Sequence, residues 1–334
     1  MPATALGTRR LSLTLTLAAG LAALALAGPA WAQDWPAKGK AIRVVVAFPP
    51  GIGVDAQARA VTPKLAELLG VPVVVDNKPG AGTLLAAQEV IKAAPDGYTI
   101  FYSASSTMAQ NPHTLINATY DPIRDFTPIS MGARGPLVLI VNNGLGVKDV
   151  KGLIAYGRAN PGKLSYASFG TGTSSHIFGQ VFAKNAGIEM EHIPYKGGAD
   201  LAADLVEGRV QLAFDAAPAA IQNAKTGKAT ILGVASPVRS PFLPDVPTLA
   251  EQGIKDIDIT SFLGWFGPKG MPADVVKKIN AALAASIAQQ SVQDFYKTGA
   301  YTAESSTPEA LGAAVKEAYD KWGALVKQAG IAKQ

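Results

Sequence analysis

Residues 41–55, AIRVVVAFPPGIGVD, decide the fold. From Ala41 to Phe48 the chain is apolar apart from Arg43, and it carries the β-branched run Val44-Val45-Val46. A run that short and that continuous reads as a strand covered on both faces. The cluster Pro49-Pro50-Gly51-Ile52-Gly53 stops it, and apolar residues then recur at helical spacing from Asp55 to Leu69. A strand feeding a helix through a glycine-rich turn is the start of a βα unit.

The same alternation continues outward. Val71 to Asp76 reads as a strand, Thr83 to Ala94 as a helix, Pro95-Asp96-Gly97 as a turn and Tyr98 to Ser103 as a strand. Parallel βαβ units in a doubly wound α/β fold follow from this order. Gly132 to Pro136 interrupts the pattern and reads as a crossover into a second series. That series runs through strand Leu137 to Val141, helix Val147 to Arg158, strand Ser165 to Ser168, helix Ser174 to Gly187, strand Met190 to Ile193, helix Ala199 to Glu207, and strands Val210 to Asp215 and Thr230 to Ala235. Pro237 and the segment Leu243-Pro244-Asp245-Val246-Pro247 mark the way back. Helices Ala273 to Ala288 and Pro308 to Ala329 then rejoin the first part.

Residues 1–32 have the order of a cleavable export signal. Arg9-Arg10 comes first, then an uncharged stretch from Leu11 to Leu26, then the small-residue site Ala30-Trp31-Ala32. The stretch is shorter than a membrane span needs. Ordinary secretion is the expectation, with Thr8-Arg9-Arg10-Leu11-Ser12-Leu13 only a partial twin-arginine match. What is left is about 300 residues, beyond the size at which one core keeps growing, so two lobes are expected. They are residues 33–134 plus 237–334 as lobe 1 and 135–236 as lobe 2, with two crossovers acting as a hinge.

Composition narrows the function. The chain has 0 Cys, which removes disulfides, thiolate catalysis and Cys-bound zinc. The net charge of +5 is dispersed without basic runs, a poor match for nucleic acid. No spacing suits a metal site and no cofactor is expected.

Three loops after predicted strands carry the chemistry: Pro49 to Asp55, Ser103 to Thr107, and Gly170 to His176. Gly170-Thr171-Gly172-Thr173-Ser174-Ser175 offers amides and hydroxyls at a helix start, where an anion is favoured. Ser and Thr there also serve as plain helix caps, and the loop alone does not separate the two. It resembles a dinucleotide loop only loosely, because Ser175 replaces the third Gly or Ala and no acidic residue follows at the expected distance near the end of a second strand. Asp55 reads better as a helix cap than as an anion contact. His176 either donates to a ligand or packs, and His113 and His192 read as structural. Asp215, ending an apolar strand, either caps the next helix or accepts from a ligand hydroxyl or amine.

The order of sequence blocks resembles the Bug family, the extracytoplasmic solute receptors of tripartite tricarboxylate transporters. The blocks are Ile42-Arg43-Val44-Val45-Val46-Ala47-Phe48-Pro49-Pro50-Gly51, Val73-Val74-Val75-Asp76-Asn77-Lys78-Pro79-Gly80-Ala81-Gly82, Pro95-Asp96-Gly97-Tyr98-Thr99, Tyr120-Asp121-Pro122-Ile123-Arg124-Asp125-Phe126, Pro161-Gly162-Lys163-Leu164, Pro194-Tyr195-Lys196-Gly197 and Leu243-Pro244-Asp245-Val246-Pro247-Thr248. The resemblance implies a type II periplasmic binding protein, monomeric, that closes its lobes like a Venus flytrap on a small carboxylate and delivers it to the membrane subunits of the transporter. It implies contacts from Gly51, Ile52, Gly53, Val54, Ser103, Ser105, Ser168, Gly170, Thr171, Gly172, Thr173, Ser174 and His176, to which the reading above adds Asp215. Where the family usually has Gly-Gly and a hydroxyl residue before the Asp, this chain has Ile52 and Val54. A more apolar loop leaves room for an aliphatic or aromatic mono- or dicarboxylate.

Two rivals differ in class. A receptor that signals to a membrane sensor would share the site. A hydrolase built on Ser168 and His176 lacks the Gly of a nucleophile elbow, since Tyr166 stands two residues before the Ser. The expectation is therefore a periplasmic binding protein and not an enzyme.

Overall fold

The computed structural model describes residues 35–51, 53–195 and 198–334. The predicted export signal, Ile52, Lys196 and Gly197 lie outside the described residues. The first sheet is built from β1 (Ile42–Val46), β2 (Val73–Asn77), β3 (Thr99–Ala104), β4 (Phe126–Gly135), β10 (Ser261–Pro268) and β11 (Thr302–Ala303), in the order β11-β4-β10-β3-β1-β2. The second comprises β5 (Leu137–Asn142), β6 (Leu164–Ser168), β7 (Met190–Pro194), β8 (Leu212–Ala216) and β9 (Ala229–Ala235), in the order β7-β6-β8-β5-β9. Each sheet defines one lobe of an α/β architecture.

Around the first sheet lie α1 (Gly53–Leu69), α2 (Leu84–Ile91), the short α3 (Asn111–Thr114), α8 (Ala273–Ile287), α9 (Gln290–Thr298) and α10 (Pro308–Ala329). The second carries α4 (Val150–Ala159), α5 (Ser174–Ala186), α6 (Gly198–Glu207) and α7 (Ala217–Lys225). Ala58, Val61 and Leu65 give α1 its buried stripe. In α10, Thr307 accepts from Ala310 N–H, Pro308 occupies the first turn, and Leu311, Val315, Ala318, Trp322 and Leu325 repeat every three or four residues along the buried face.

The sheets are mixed, not purely parallel. β1 runs parallel to β2 and β3, but β10 is antiparallel to β3 and β4. In the second sheet β6 is parallel to β7 and β8, and β5 is antiparallel to β8 and β9. The expected crossover at Gly132–Pro136 is also corrected. β4 continues to Gly135, and Pro136 alone links it to β5. The glycines here serve packing, not turning. A Cβ at Gly132 would lie 2.7 Å from the Tyr102 ring, and one at Gly135 would lie 2.5 Å from the Tyr301 ring. Both rings need the bare strand surface, so glycine sits inside a strand.

The lobes share core. α10 packs on the π-helical turn Ser106–Gln110 of the first lobe and on α5 of the second. His113 meets Tyr319 at 4.3 Å between ring centroids, and Phe178 stacks on Trp322 at 5.4 Å.

Candidate functional site

The three predicted loops follow the carboxyl ends of β1 and β3 in one lobe and of β6 in the other, and Asp215 stands at that end of β8, the side on which α/β folds bind ligands. In the first lobe Gly51 is exposed with φ of +80°, and its N–H donates to Asp55 Oδ2 at 2.8 Å. Asp55 is 1% exposed and does not cap α1. It sits within the first helical turn and accepts from Arg59 Nε at 3.0 Å and Asn77 Nδ2 at 2.8 Å as well. Burial alone would raise its pKa, but these bonds outweigh that and hold the carboxyl below its usual range. Asp55 thus braces the loop from below, leaving Gly53 and Val54 in the first turn of α1, where a helix has no partners for its N–H groups.

Ser103 Oγ is fully buried and finds no hydrogen-bond partner among the described residues. Folded interiors seldom leave a hydroxyl in that state. Ser105 Oγ instead accepts from Phe262 N–H at 3.3 Å and so ties β3 to β10.

Within the Gly170–His176 loop, Thr173, Ser175 and His176 bond the loop and its flank. Thr173 Oγ1 donates to Gly170 O at 2.6 Å, Ser175 Oγ accepts from Phe169 N–H at 3.1 Å, and Gly172 N–H donates to His176 Nδ1 at 3.0 Å. Thr173 is the N-cap position of α5 yet makes no side-chain cap bond. The first-turn amides of Ser174, Ser175 and His176 therefore have neither an intrahelical acceptor nor a cap. Gly170 and Gly172 have φ of +112° and +76°, values only glycine takes without strain. Thr171 is exposed and stands at the loop's tip.

His192, read from sequence as merely structural, belongs to this site. Its Nε2 lies 2.6 Å from Ser168 Oγ, and its ring lies between Tyr166 at 5.0 Å and His176 at 4.0 Å. Sequence alone hid it because it lies 24 residues beyond Ser168 and only β6–β7 pairing brings Tyr166 opposite His192. Ser168 is fully buried and bonds His192, not His176, so the Ser168/His176 pair of the hydrolase reading is not formed. Asp215 is 2% exposed at the end of β8, where its Oδ1 accepts from Ala216 N–H at 2.7 Å. Ala216 is the N-cap position of α7, so Asp215 is no helix cap.

Burial, and then the neighbouring His192 ring, push the His176 pKa down to about 4, and burial lowers that of His192. Both favour the neutral form when folded, so the stability they lend is full above the unfolded value of about 6.5 and is lost as pH falls through the folded values. A protonated His176 Nδ1 cannot accept from Gly172. The melting temperature should fall between pH 6.5 and 4, and His176→Asn, whose Oδ1 takes over the acceptor role, should flatten that slope. An unchanged slope would remove His176 as its source.

The chain is similar to known proteins over most of its length. Residues 57–331 match the model of the tripartite tricarboxylate transporter family receptor. Protein BugT of Bordetella pertussis is 30% identical over 311 residues, covering 93% of this chain and 95% of its own. Among solved structures, R. palustris Rpa4515 with adipate has a TM-score of 0.76 at 32% identity, covering 90% of this chain and 100% of the other. MatC from Rhodopseudomonas palustris with bound malate has a TM-score of 0.72 at 29% identity, covering 86% and 98%.

Proposed function

Because the chain belongs to the tripartite tricarboxylate transporter family of receptors, periplasmic binding proteins of the Bug type, we propose that it captures a small carboxylate between its lobes and hands it to the membrane subunits of such a transporter. On this reading it is exported by the signal in residues 1–32, acts in the periplasm as a monomer and catalyses no reaction. The lobes close about the links at Pro136 and at residues 236–260. The observation that carries the reading is the uncapped start of α5, whose amides are left for an anion because the surrounding hydroxyls are bonded within the protein. The start of α1 offers a second set from the other lobe. Two helix N-termini suit a carboxylate without an arginine. The relatives with adipate and malate support the ligand class, and Val54 together with Ile52 favours an apolar remainder.

A thermal-shift screen of mono-, di- and tricarboxylates and aromatic acids should find acids that raise the melting temperature, since a ligand held only by the folded state stabilises it by mass action. Thr171→Val should then weaken the best ligand roughly 10-fold or more if its hydroxyl reaches the carboxylate. Thr173→Val should chiefly lower stability. A screen without a single stabilising acid would overturn the reading.

A further inference from the structure

Gln110 is where the first lobe grips the Gly170–His176 loop of the second. It ends the π-helical turn after β3 and is 3% exposed. Its Nε2 donates to Gly172 O at 2.7 Å, and its Oε1 accepts from the Ser174 hydroxyl. The chemistry fixes the amide's orientation: a carbonyl only accepts, so the amide nitrogen must face Gly172, and Ser174 must donate to the oxygen. Nearby, a Cβ on Gly172 would lie at ordinary contact distance, 3.6 Å, from Thr114 Cβ, so the loop rests against α3.

These bonds have two consequences. The Gly172 carbonyl, whose partial negative charge would oppose an anion at the same loop, is turned toward the first lobe and satisfied there. The Ser174 hydroxyl is spent on Gln110, which leaves the backbone amides of α5 as the loop's offer to a ligand. We propose that Gln110 is a positioning residue that latches the two lobes through this loop, holding it in its anion-accepting conformation and setting how readily the lobes part. The latch is made of protein groups alone and does not depend on which ligand the cleft takes, so its test needs no ligand.

The experiment uses the full mature chain and compares wild type, Gln110→Ala and Gln110→Glu by small-angle scattering and by hydrogen exchange over residues 170–176. Loss of two net hydrogen bonds should shift the opening equilibrium roughly 5- to 150-fold, so Gln110→Ala should exchange faster in the loop by that order and show a larger radius of gyration. Residues 178–186 of α5 should keep their protection, which separates unlatching from unfolding. Gln110→Glu supplies the second arm. An ionised carboxylate cannot donate to Gly172 O, whereas a protonated one restores one donor and one acceptor. A site only 3% exposed raises the pKa of a carboxyl above its ordinary value of about 4.3, so relative to wild type at each pH Gln110→Glu should behave like Gln110→Ala at pH 8 and move toward wild type at pH 5. His176 in the loop, His192 stacked on it and His113 on α3 have lowered pKa values and are common to all three proteins. Equal exchange and equal radius in Gln110→Ala would overturn the latch, as would faster exchange without expansion. Failure of Gln110→Glu to recover at pH 5 would overturn the assigned donor and acceptor. A failed ligand screen would leave every one of these outcomes unchanged.

Discussion

Gly179→Ala should destabilise the protein by about 3 kcal/mol or more, although alanine is the better helix former by roughly 1 kcal/mol. A Cβ at Gly179, in the second turn of α5, would sit 2.1 Å from Tyr166 Cε2 and 2.4 Å from Cδ2. Distances that short require one group to move, and Tyr166 has nowhere to go. Its ring is fully buried and stacked on His192, which is itself stacked on His176. Displacing it pushes the histidine pair and, through His176 Nδ1, the Gly172 amide. The melting temperature should therefore fall by roughly 6–12 °C, and affinity for any ligand of the Gly170–His176 loop should fall with it. In a Tyr166→Leu background the same substitution should cost at least about 1 kcal/mol less, because the clash has lost its partner. Equal costs in both backgrounds would mean that the ring does not lie over Gly179.

Much of this arrangement is legible in the sequence, and the parts that are not share a physical cause. β1, the Gly-rich turn and α1 are local: a β-branched run, breakers and a helical stripe are written within residues 41–69. The family blocks were legible for the same reason, and the family match bears them out. The antiparallel partners β4 and β10 were missed because pairing is a long-range choice. β4 also carries Gly132 and Gly135, which imitate a turn until Tyr102 and Tyr301 are seen to occupy the space. Helix α9 escaped because it spans only Gln290–Thr298 and buries only Val292 and Tyr296, too few apolar repeats to register as a helix.

Polar partners within the site were still less legible. That Asp55 would fasten the loop before its own helix, rather than cap that helix, depends on Arg59 one turn on and Asn77 on the next strand. That Gln110 would reach Gly172 depends on two lobes meeting across 62 residues of sequence. The left-handed run after β2 is legible in sequence only as part of a family block. There Ala81 and Thr83 hold φ of +47° and +78°, and Asn111 Nδ2 donates to Gly82 O at 2.7 Å. Two non-glycine residues held in that region are a cost the surroundings must offset, and such loops gather at functional edges.

Asp215→Asn should raise stability and lower function. Asp215 ends β8 almost wholly buried, and no ion pair among the described residues includes it. Burial pushes its pKa up to about 6 against an ordinary value of 3.8, with the Ala216 N–H only partly opposing that. The folded state thus prefers the protonated acid. The stability this lends is full below the unfolded value near 4 and is lost as pH rises through about 6, the reverse of the trend set by His176. Above that pH the protein carries a buried carboxylate at a cost of order 3 kcal/mol. Asparagine keeps an acceptor for Ala216 N–H without a charge, so at pH 8 the variant should melt several degrees higher than wild type, and at pH 4 the two should coincide. On the proposed function, a buried carboxylate at this cost, at the same end of the second sheet as the Gly170–His176 loop, would accept a hydrogen bond from a hydroxyl, amine or second, protonated carboxyl on the ligand. For a ligand bearing such a donor, Asp215→Asn should weaken binding roughly 10- to 150-fold, and for one without it binding should be unchanged. Melting curves at the two pH values and calorimetry with a matched pair of acids, one with and one without the donor, test both halves. A variant less stable than wild type at pH 8 would show that the carboxylate has a stabilising partner, and equal losses for both acids would remove Asp215 from ligand recognition.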